Sequence, residues 1–344
     1  MRLSGKRLTI FSVFIAVGAS SLAIAQKSYI PFATAGEITR PDIGELWRGP
    51  ADIQSENLLY GVGGEKHQPH GPFTFEKEDM DGTNPKFDVR DTDGVKWKIK
   101  LGAEARPETV ASRFVWAVGY HADEDYFVPE VQVMGLPKHV HRGGDRIEHG
   151  GIMRDVRLKR QQGEKKIGSW NWRDNKFAGT RELDGLRVMM GIIDNWDLKD
   201  ENNAVRDEKQ DGGGTERVFL VSDLGASFGT TGRKISHEAS KGNLEAYEKA
   251  NFIIDVRPDA VDLAVPSRPE ALLVFDTSEY IKRMGLRWIG KDIPRENVRW
   301  IAGLLGQLSD QQIRDAFRSA GYLGPELDGF TFAFEHRIAE LKKL

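Results

Sequence analysis

Two short acidic segments carry the residue types that phosphate chemistry needs. DLKDENN, residues 197–203, follows an apolar run, and VSDLGASFG, residues 221–229, comes shortly after it. Asp197 and Asn202 have the D-x-x-x-x-N spacing, which lets one loop offer a carboxylate to an acceptor hydroxyl and an amide oxygen to a metal. Asp223 ends an apolar strand just before a glycine, where a second metal ligand can reach the β- and γ-phosphates of a nucleotide. Phosphoryl transfer asks little else of a protein: a cation clamp on the phosphates, oxygen ligands for Mg²⁺, and a carboxylate near the acceptor. A blander reading competes, in which Asp197, Asp200 and Glu201 form a solvated turn closing a helix and Asp223 caps a strand.

These segments need elements to position them. From Phe73, FTFEKED reads as a strand, and FDVRDTDGVKWKIKLG reads as a hairpin whose alternating runs flank Asp93-Gly94. Val95, Trp97, Ile99 and Leu101 point one way, and Lys96, Lys98 and Lys100 the other. Those lysines either coat a solvated sheet face or place an ammonium in a cleft against phosphate oxygens. RPETVASRFVWAVGY reads as a helix, with Pro107 near its start, Glu108 in its first turn and Val110, Phe114, Val115 and Val118 at helical spacing. FVPEVQV and GIMRDVRLKR are strands. GTRELDGLRVMMGIIDNW is a helix that runs directly into the first acidic segment. NAVR and ERVFLVS are short strands joined by DEKQDGGGT, and ANFIIDV with AVDLAV makes another hairpin. The end is helical: PRENVRWIAGLLGQL, then DQQIRDAFRSAG opened by a capping box of Ser309 and Gln312, then FEHRIAELKKL. This order predicts an α+β protein of two lobes, with the acidic segments where the lobes meet. The expected divisions are an irregular extension over 26–70, a strand-rich lobe over 71–150 and a mostly helical lobe over 151–344. Within the extension, Gly61, Gly63 and Gly64 read as a flexible connector or as a glycine loop over phosphates.

The first 25 residues read as an export signal. Arg2, Lys6 and Arg7 precede an apolar stretch from Leu8 to Val17, and Ala23-Ile24-Ala25 offers a cleavage site before Gln26. Nothing later approaches ~20 uninterrupted apolar residues, so the expected address is periplasmic or extracellular, with no membrane span after cleavage. The chain has no cysteine, which excludes disulfides and a lipid-modified cysteine anchor. Losing the three basic residues of the signal leaves 46 Lys and Arg against 52 Asp and Glu, a balance that disfavours nucleic acid as a partner.

DLKDENN followed by FLVSDLG resembles the protein-kinase catalytic loop and its D-F-G element, with a strand pair between them. The resemblance implies a two-lobed protein-kinase-like fold, with a strand-rich N-lobe, a mostly helical C-lobe, and ATP with Mg²⁺ or Mn²⁺ as phosphoryl donor. It implies Asp197 as catalytic base, Lys199 as a phosphate or acceptor contact, Asn202 as a metal ligand and Asp223 as the main metal ligand. It also implies a lysine of VKWKIKLG paired with a glutamate of the next helix. Lys98 with Glu108 is the favoured pair, Lys100 the alternative lysine and Glu104 the alternative acid. The element order matches over about 73–230, while the sharp motifs cover fewer than twenty residues. Asn195 and Trp196 stand where an ordinary protein kinase carries His-Arg, and no A-P-E segment follows Asp223. NWDLKDEN is closer to the N-x-D-x-H-x-x-N loop of HipA-type and lipid-kinase-like atypical kinases, with Lys199 in the histidine's place. The exported setting is similar to that of secretory-pathway kinases and CotH spore-coat kinases.

Two alternatives stand beside an exported atypical phosphotransferase acting on an unidentified protein or small-molecule acceptor. One is a catalytically inactive kinase-fold binding or scaffold protein, since bacterial compartments outside the cytoplasm are expected to hold little ATP. The other is an exported His-rich metal-binding protein. Six of the eight histidines, His67, His70, His121, His139, His141 and His149, fall in one quarter of the chain, and His139-x-His141 suits Zn²⁺ or Cu²⁺. H-E-x-x-H is missing from the sequence.

Overall fold

Alternating apolar residues from Phe73 onward close on themselves instead of forming an open sheet. The computed structural model describes residues 42–344 except 51, 83, 162–164, 210–212, 230–240 and 266–276. The expected export signal and residues 26–41 of the expected extension lie outside the described residues, as does the middle of DEKQDGGGT.

Strands β1 (Phe73–Asp79), β2 (Lys86–Arg90) and β3 (Lys96–Lys100) form an antiparallel meander. Helix α1 (Ala105–Ala117) follows, then β4 (Asp125–Met134), the two-residue β5 (Ile147–Glu148) and β6 (Ile152–Gln161). β4 pairs in parallel with β1 and antiparallel with β6, and β6 pairs with β3, which closes a five-stranded barrel with β5 appended to β6. Closure pairs the edges that an open sheet would leave free. Phe87, Val89, Trp97, Ile99, Val133, Met153 and Leu158 fill the interior. The expected hairpin at Asp93-Gly94 is present. Gly94 takes a left-handed φ of 80°, and the Asp91 carboxylate accepts from the Val95 amide at 2.8 Å and from the Trp97 indole at 2.7 Å. The strand-rich part runs to Gln161, beyond the boundary expected at 150. The strand GIMRDVRLKR is legible from alternation, but its two partners are chosen by barrel closure, which local sequence does not encode.

Residues 42–70 hold three 3-10 turns, Ile43–Glu45, Ile53–Ser55 and Glu65–His67. Leu46, Ile53 and Leu58 of this segment are buried in the larger core. A side chain at Gly61 would strike the Arg113 guanidinium, and one at Gly63 would strike the Glu124 carboxylate and the Tyr126 hydroxyl. Gly61 and Gly63 are therefore positions of close packing, while a Cβ at Gly64 would meet nothing within 4 Å.

Strand β7 (Lys165–Gly168), helix α2 (Arg181–Ile192), and strands β8 (Asn203–Lys209) and β9 (Thr215–Val221) come next, with β7, β8 and β9 in one antiparallel sheet. Helix α3 (Leu244–Lys249) leads to β10 (Ile253–Val256) and β11 (Ala260–Leu263), then α4 (Thr277–Met284) and β12 (Ile293–Pro294). Helices α5 (Arg295–Leu305), α6 (Asp310–Arg318) and α7 (Gly324–Leu341) end the chain, and the Ser309–Gln312 capping box forms as expected. Mixed helix and strand content makes the fold α+β. No described helix is long and apolar enough to cross a membrane.

Helix α1 joins the two cores. Phe114 stacks on Phe334 of α7 at 3.9 Å between centroids and meets Phe317 of α6 edge-on at 5.6 Å. Its Glu108 and Ser112 face β6 and β4 instead. A helix covered on both sides buries polar residues that an amphipathic pattern would expose, which is why Glu108, Ser112 and Arg113 are all 2% exposed or less.

Candidate active site

The hairpin of β8 and β9 brings the two acidic segments together. Its register pairs Asn203 with Val221, so the next position outward sets Asn202 against Ser222. The Asn202 carbonyl accepts from the amides of Ser222 at 2.9 Å and Asp223 at 3.2 Å. On the other side of α2, Asp194 takes a left-handed φ of 55° and its amide bonds the Gly191 carbonyl, while Asn195 bonds Met190. This left-handed cap ends the helix and turns the chain into the loop that carries Asp197.

Lys100 stands at the centre of the site. Its ammonium lies 2.5 Å from Glu104, 2.8 Å from Glu108 and 3.2 Å from Asp223. The expected pair of Lys98 with Glu108 does not form: Lys98 bonds Asp79 and lies 3.4 Å from Asp88. Lys98 and Lys100 share a face of β3, but only the end of the strand lies under α1, so the choice between them depends on where the helix crosses. Burial would lower the Lys100 pKa, yet Asp223, Glu108 and Glu104 together raise it well above the ordinary lysine value. Asp223, whose side chain is 39% exposed, would be raised by burial, but Lys100 holds it below the ordinary carboxylate range. Glu108 goes the other way: burial raises it despite Arg157 and Lys100. Glu104, between Lys100 and Lys241, is held well below the usual range against its burial.

Around this centre lies a further set of charged side chains, most of which belong to no sequence motif. Across the sheet, Lys86 is registered with Lys100 and Lys100 with Arg157; in the next row Lys98 is registered with Lys159. Like charges set directly opposite one another repel, so the rows need anions. Arg157 takes Glu108 at 3.0 Å and Asp125 at 3.4 Å. Lys159 and Arg206 of β8 both take Asp123, at 2.8 and 2.5 Å, and the Ser222 hydroxyl accepts from Arg206 and donates to Asp123. Burial opposes the Asp123 charge, but these two cations hold its pKa far below the normal range. VRLKR has the alternating cations of KWKIK, which is a readable signal for Arg157 and Lys159. The Asp123–Arg206 contact spans 83 residues and has no local signature.

A cavity of about 570 Å³ opens over this network. Lys98, Lys100, Glu108, Lys199, Asn202 and Asp223 all line it. Asp197 is not among its described lining residues; its Oδ1 lies 2.7 Å from Arg283 of α4 and 3.7 Å from Lys199. The Asn202 amide nitrogen donates to the Asp197 carbonyl at 2.6 Å, which leaves its Oδ1 for another partner. Asn202 and Asp223 thus present oxygen donors from adjacent backbone, a set that suits a hard divalent cation such as Mg²⁺ or Mn²⁺. Glu104, Glu108 and Asp223 also converge closely enough to hold a metal, but the Lys100 ammonium sits among them.

The histidines do not gather. His67 bonds Glu124 at 3.0 Å, His70 bonds Asp93 at 2.6 Å, His121 meets the Gly44 carbonyl at 2.7 Å and His141 bonds Glu78 at 3.1 Å. Among the described residues no metal-sized cluster contains a histidine.

No protein-family model matches the chain, and no curated protein matches it. Among solved structures, that of the Helicobacter pylori proinflammatory kinase CtkA is similar, with a TM-score of 0.44 and 8% identity over 80% of this chain and 97% of that one. The functional reading therefore rests on the side chains of the cleft.

Proposed function

We propose that the chain is an atypical kinase-like phosphotransferase, two-lobed and exported, that uses ATP with Mg²⁺ or Mn²⁺ on an unidentified protein or small-molecule acceptor. The observation that carries this reading is the Lys100 ammonium, held at once by Glu108 of α1 and Asp223 of the β9 loop on the wall of a cation-rich cleft. An ammonium fixed before the ligand arrives meets phosphate oxygens at little ordering cost. Asn202 and Asp223 are the residues that would hold the metal, which when bound neutralises charge on the donor phosphates. Lys199, on the same wall, faces the donor or acceptor oxygens. The acceptor hydroxyl gives its proton to Asp197 as its oxygen bonds the terminal phosphorus and the bridging oxygen of the donor leaves.

One observation favours a second reading. Asp197 is engaged by Arg283 and stands back from the cavity lining, as it would in a protein that binds the donor without turnover. Thermal melts of the full chain with ATP and Mg²⁺ or Mn²⁺, beside Asp223→Ala, test the site. A metal-dependent rise in midpoint that the variant loses supports it. An equal rise in the variant removes Asp223 from the site. Asp197→Ala separates the two readings: under the first it keeps the rise and loses transfer, whereas under the second even the unaltered chain shows the rise without transfer.

A further inference from the structure

The walls of the cleft have an unusual composition for a nucleotide site. Every described lining residue is charged, an amide, a hydroxyl or glycine, and eight Lys and Arg stand against five Asp and Glu. A nucleobase is ordinarily held by apolar and aromatic side chains with a few placed polar groups. Stacking on an aromatic ring is a common part of that hold. Neighbouring tryptophans are turned elsewhere. Trp97 is inside the barrel, Trp170 and Trp172 pack edge to face in the larger core, and the buried Trp196 is flanked by Lys241 and Arg283. The positions on β3 and β6 next to the Lys100–Arg157 row, where a base could lie flat on the sheet, hold Lys98 and Lys159.

The same wall is suited to a chain of phosphates. Lys86, Lys100 and Arg157 form one cross-strand row and Lys98 and Lys159 the next, so cations are spaced in two directions across three strands. Most are paired with carboxylates, whereas among the described residues Lys86 makes no close ion pair and feels Asp223, Asp79 and Glu108 only from further off. Lys86 is half-buried, and burial, with Lys100 nearby, lowers its pKa. A half-buried cation without a close counter-anion is stabilised when an anionic ligand arrives.

We infer that this cleft reads a polyphosphate chain and not a base, so that inorganic tripolyphosphate is a ligand equivalent to any nucleoside triphosphate. The inference rests on the phosphate-cleft reading above and narrows it: ATP is accepted for its phosphates alone.

Calorimetric titration of the full chain in Mg²⁺ buffer with ATP, GTP, inorganic tripolyphosphate and adenosine tests it. The expected result is dissociation constants for ATP, GTP and tripolyphosphate within about threefold of one another, with no binding of adenosine. Lys86→Met, a change at a half-buried position, should fold with an unchanged melt and weaken all three phosphate ligands by a similar factor, about tenfold. ATP binding about tenfold or more tighter than both GTP and tripolyphosphate would mean that the base is recognised, which overturns this inference and leaves the phosphate cleft standing. Binding of none of the phosphate ligands overturns both together.

Discussion

The ammonium of Lys100 lies 3.2 Å from Oδ1 of Asp223, tying the end of β3 to the segment after β9 across 123 residues of chain. With Glu104 and Glu108 also on that ammonium, three carboxylates share one cation, Glu104 being held by Lys241 and Glu108 by Arg157 as well. Removing the cation that a buried ionic cluster shares leaves its carboxylates under-compensated, which costs up to about 3–5 kcal/mol. Lys100→Met should lose that much in urea unfolding at pH 8. Without the ammonium, burial and mutual repulsion raise the carboxylate pKa values, so the loss should shrink by pH 5. A loss below about 1 kcal/mol at both pH values would show that the carboxylates do not depend on Lys100.

Gly225 tests the same site without altering a charge. A Cβ there would stand 2.6 Å from Cβ and 2.8 Å from Cγ of Glu104, and its backbone amide donates to Asp223 Oδ1 at 3.3 Å. Gly225→Ala should therefore push Glu104 off Lys100 and shift Asp223, destabilising the protein by about 1–3 kcal/mol as overpacking does. It should also abolish the ligand-induced rise in melting midpoint. A variant that binds as the unaltered chain does would place the ligand away from the Asp223 loop.

Much of this site was legible in the sequence, for reasons that also show where legibility stops. Asp197, Lys199 and Asn202 share one loop, so their proximity is local. Asp223 follows because a hairpin of two recognisable strands fixes what lies at its open end. Lys100 in place of Lys98 was not decidable, because alternation assigns both to one face and only the crossing of α1 separates them. Barrel closure, the Arg157–Glu108 contact and the Asp123–Arg206 contact are products of tertiary pairing between strands distant in sequence. The histidines show the reverse case: residues near in sequence face different partners because turns and strands send them apart.

Asp123 offers a check in acid. Its pKa is depressed by Arg206 and Lys159 despite its burial, so its contribution is complete above the unfolded value near 3.8 and is lost as pH falls through the folded value. Asp123→Asn should cost up to about 3–5 kcal/mol at pH 7, since it takes the shared carboxylate from two largely buried cations. The gap between variant and unaltered chain should narrow only below about pH 4. A gap that stays constant from pH 7 down to pH 2 would mean that packing, not charge, sets the cost.

Asp194 behaves in the opposite sense. It is 1% exposed, and among the described residues neither carboxylate oxygen has a hydrogen-bond partner. Burial pushes its pKa up to about 7, against the pull of the Arg337 guanidinium. A folded value above the unfolded one means that the native state binds the proton more tightly, so stability is highest below about pH 4 and falls as pH rises toward 7. Asp194→Asn removes the charge but keeps the shape, and Asn tolerates the left-handed backbone that this position requires. The variant should match the unaltered chain near pH 4 and exceed it at pH 8 by roughly 4 kcal/mol, about three pKa units at about 1.4 kcal/mol each. Urea unfolding at the two pH values decides the matter. Equal stabilities at pH 8 would show that Asp194 titrates near its unfolded value and that water or a cation reaches its carboxylate.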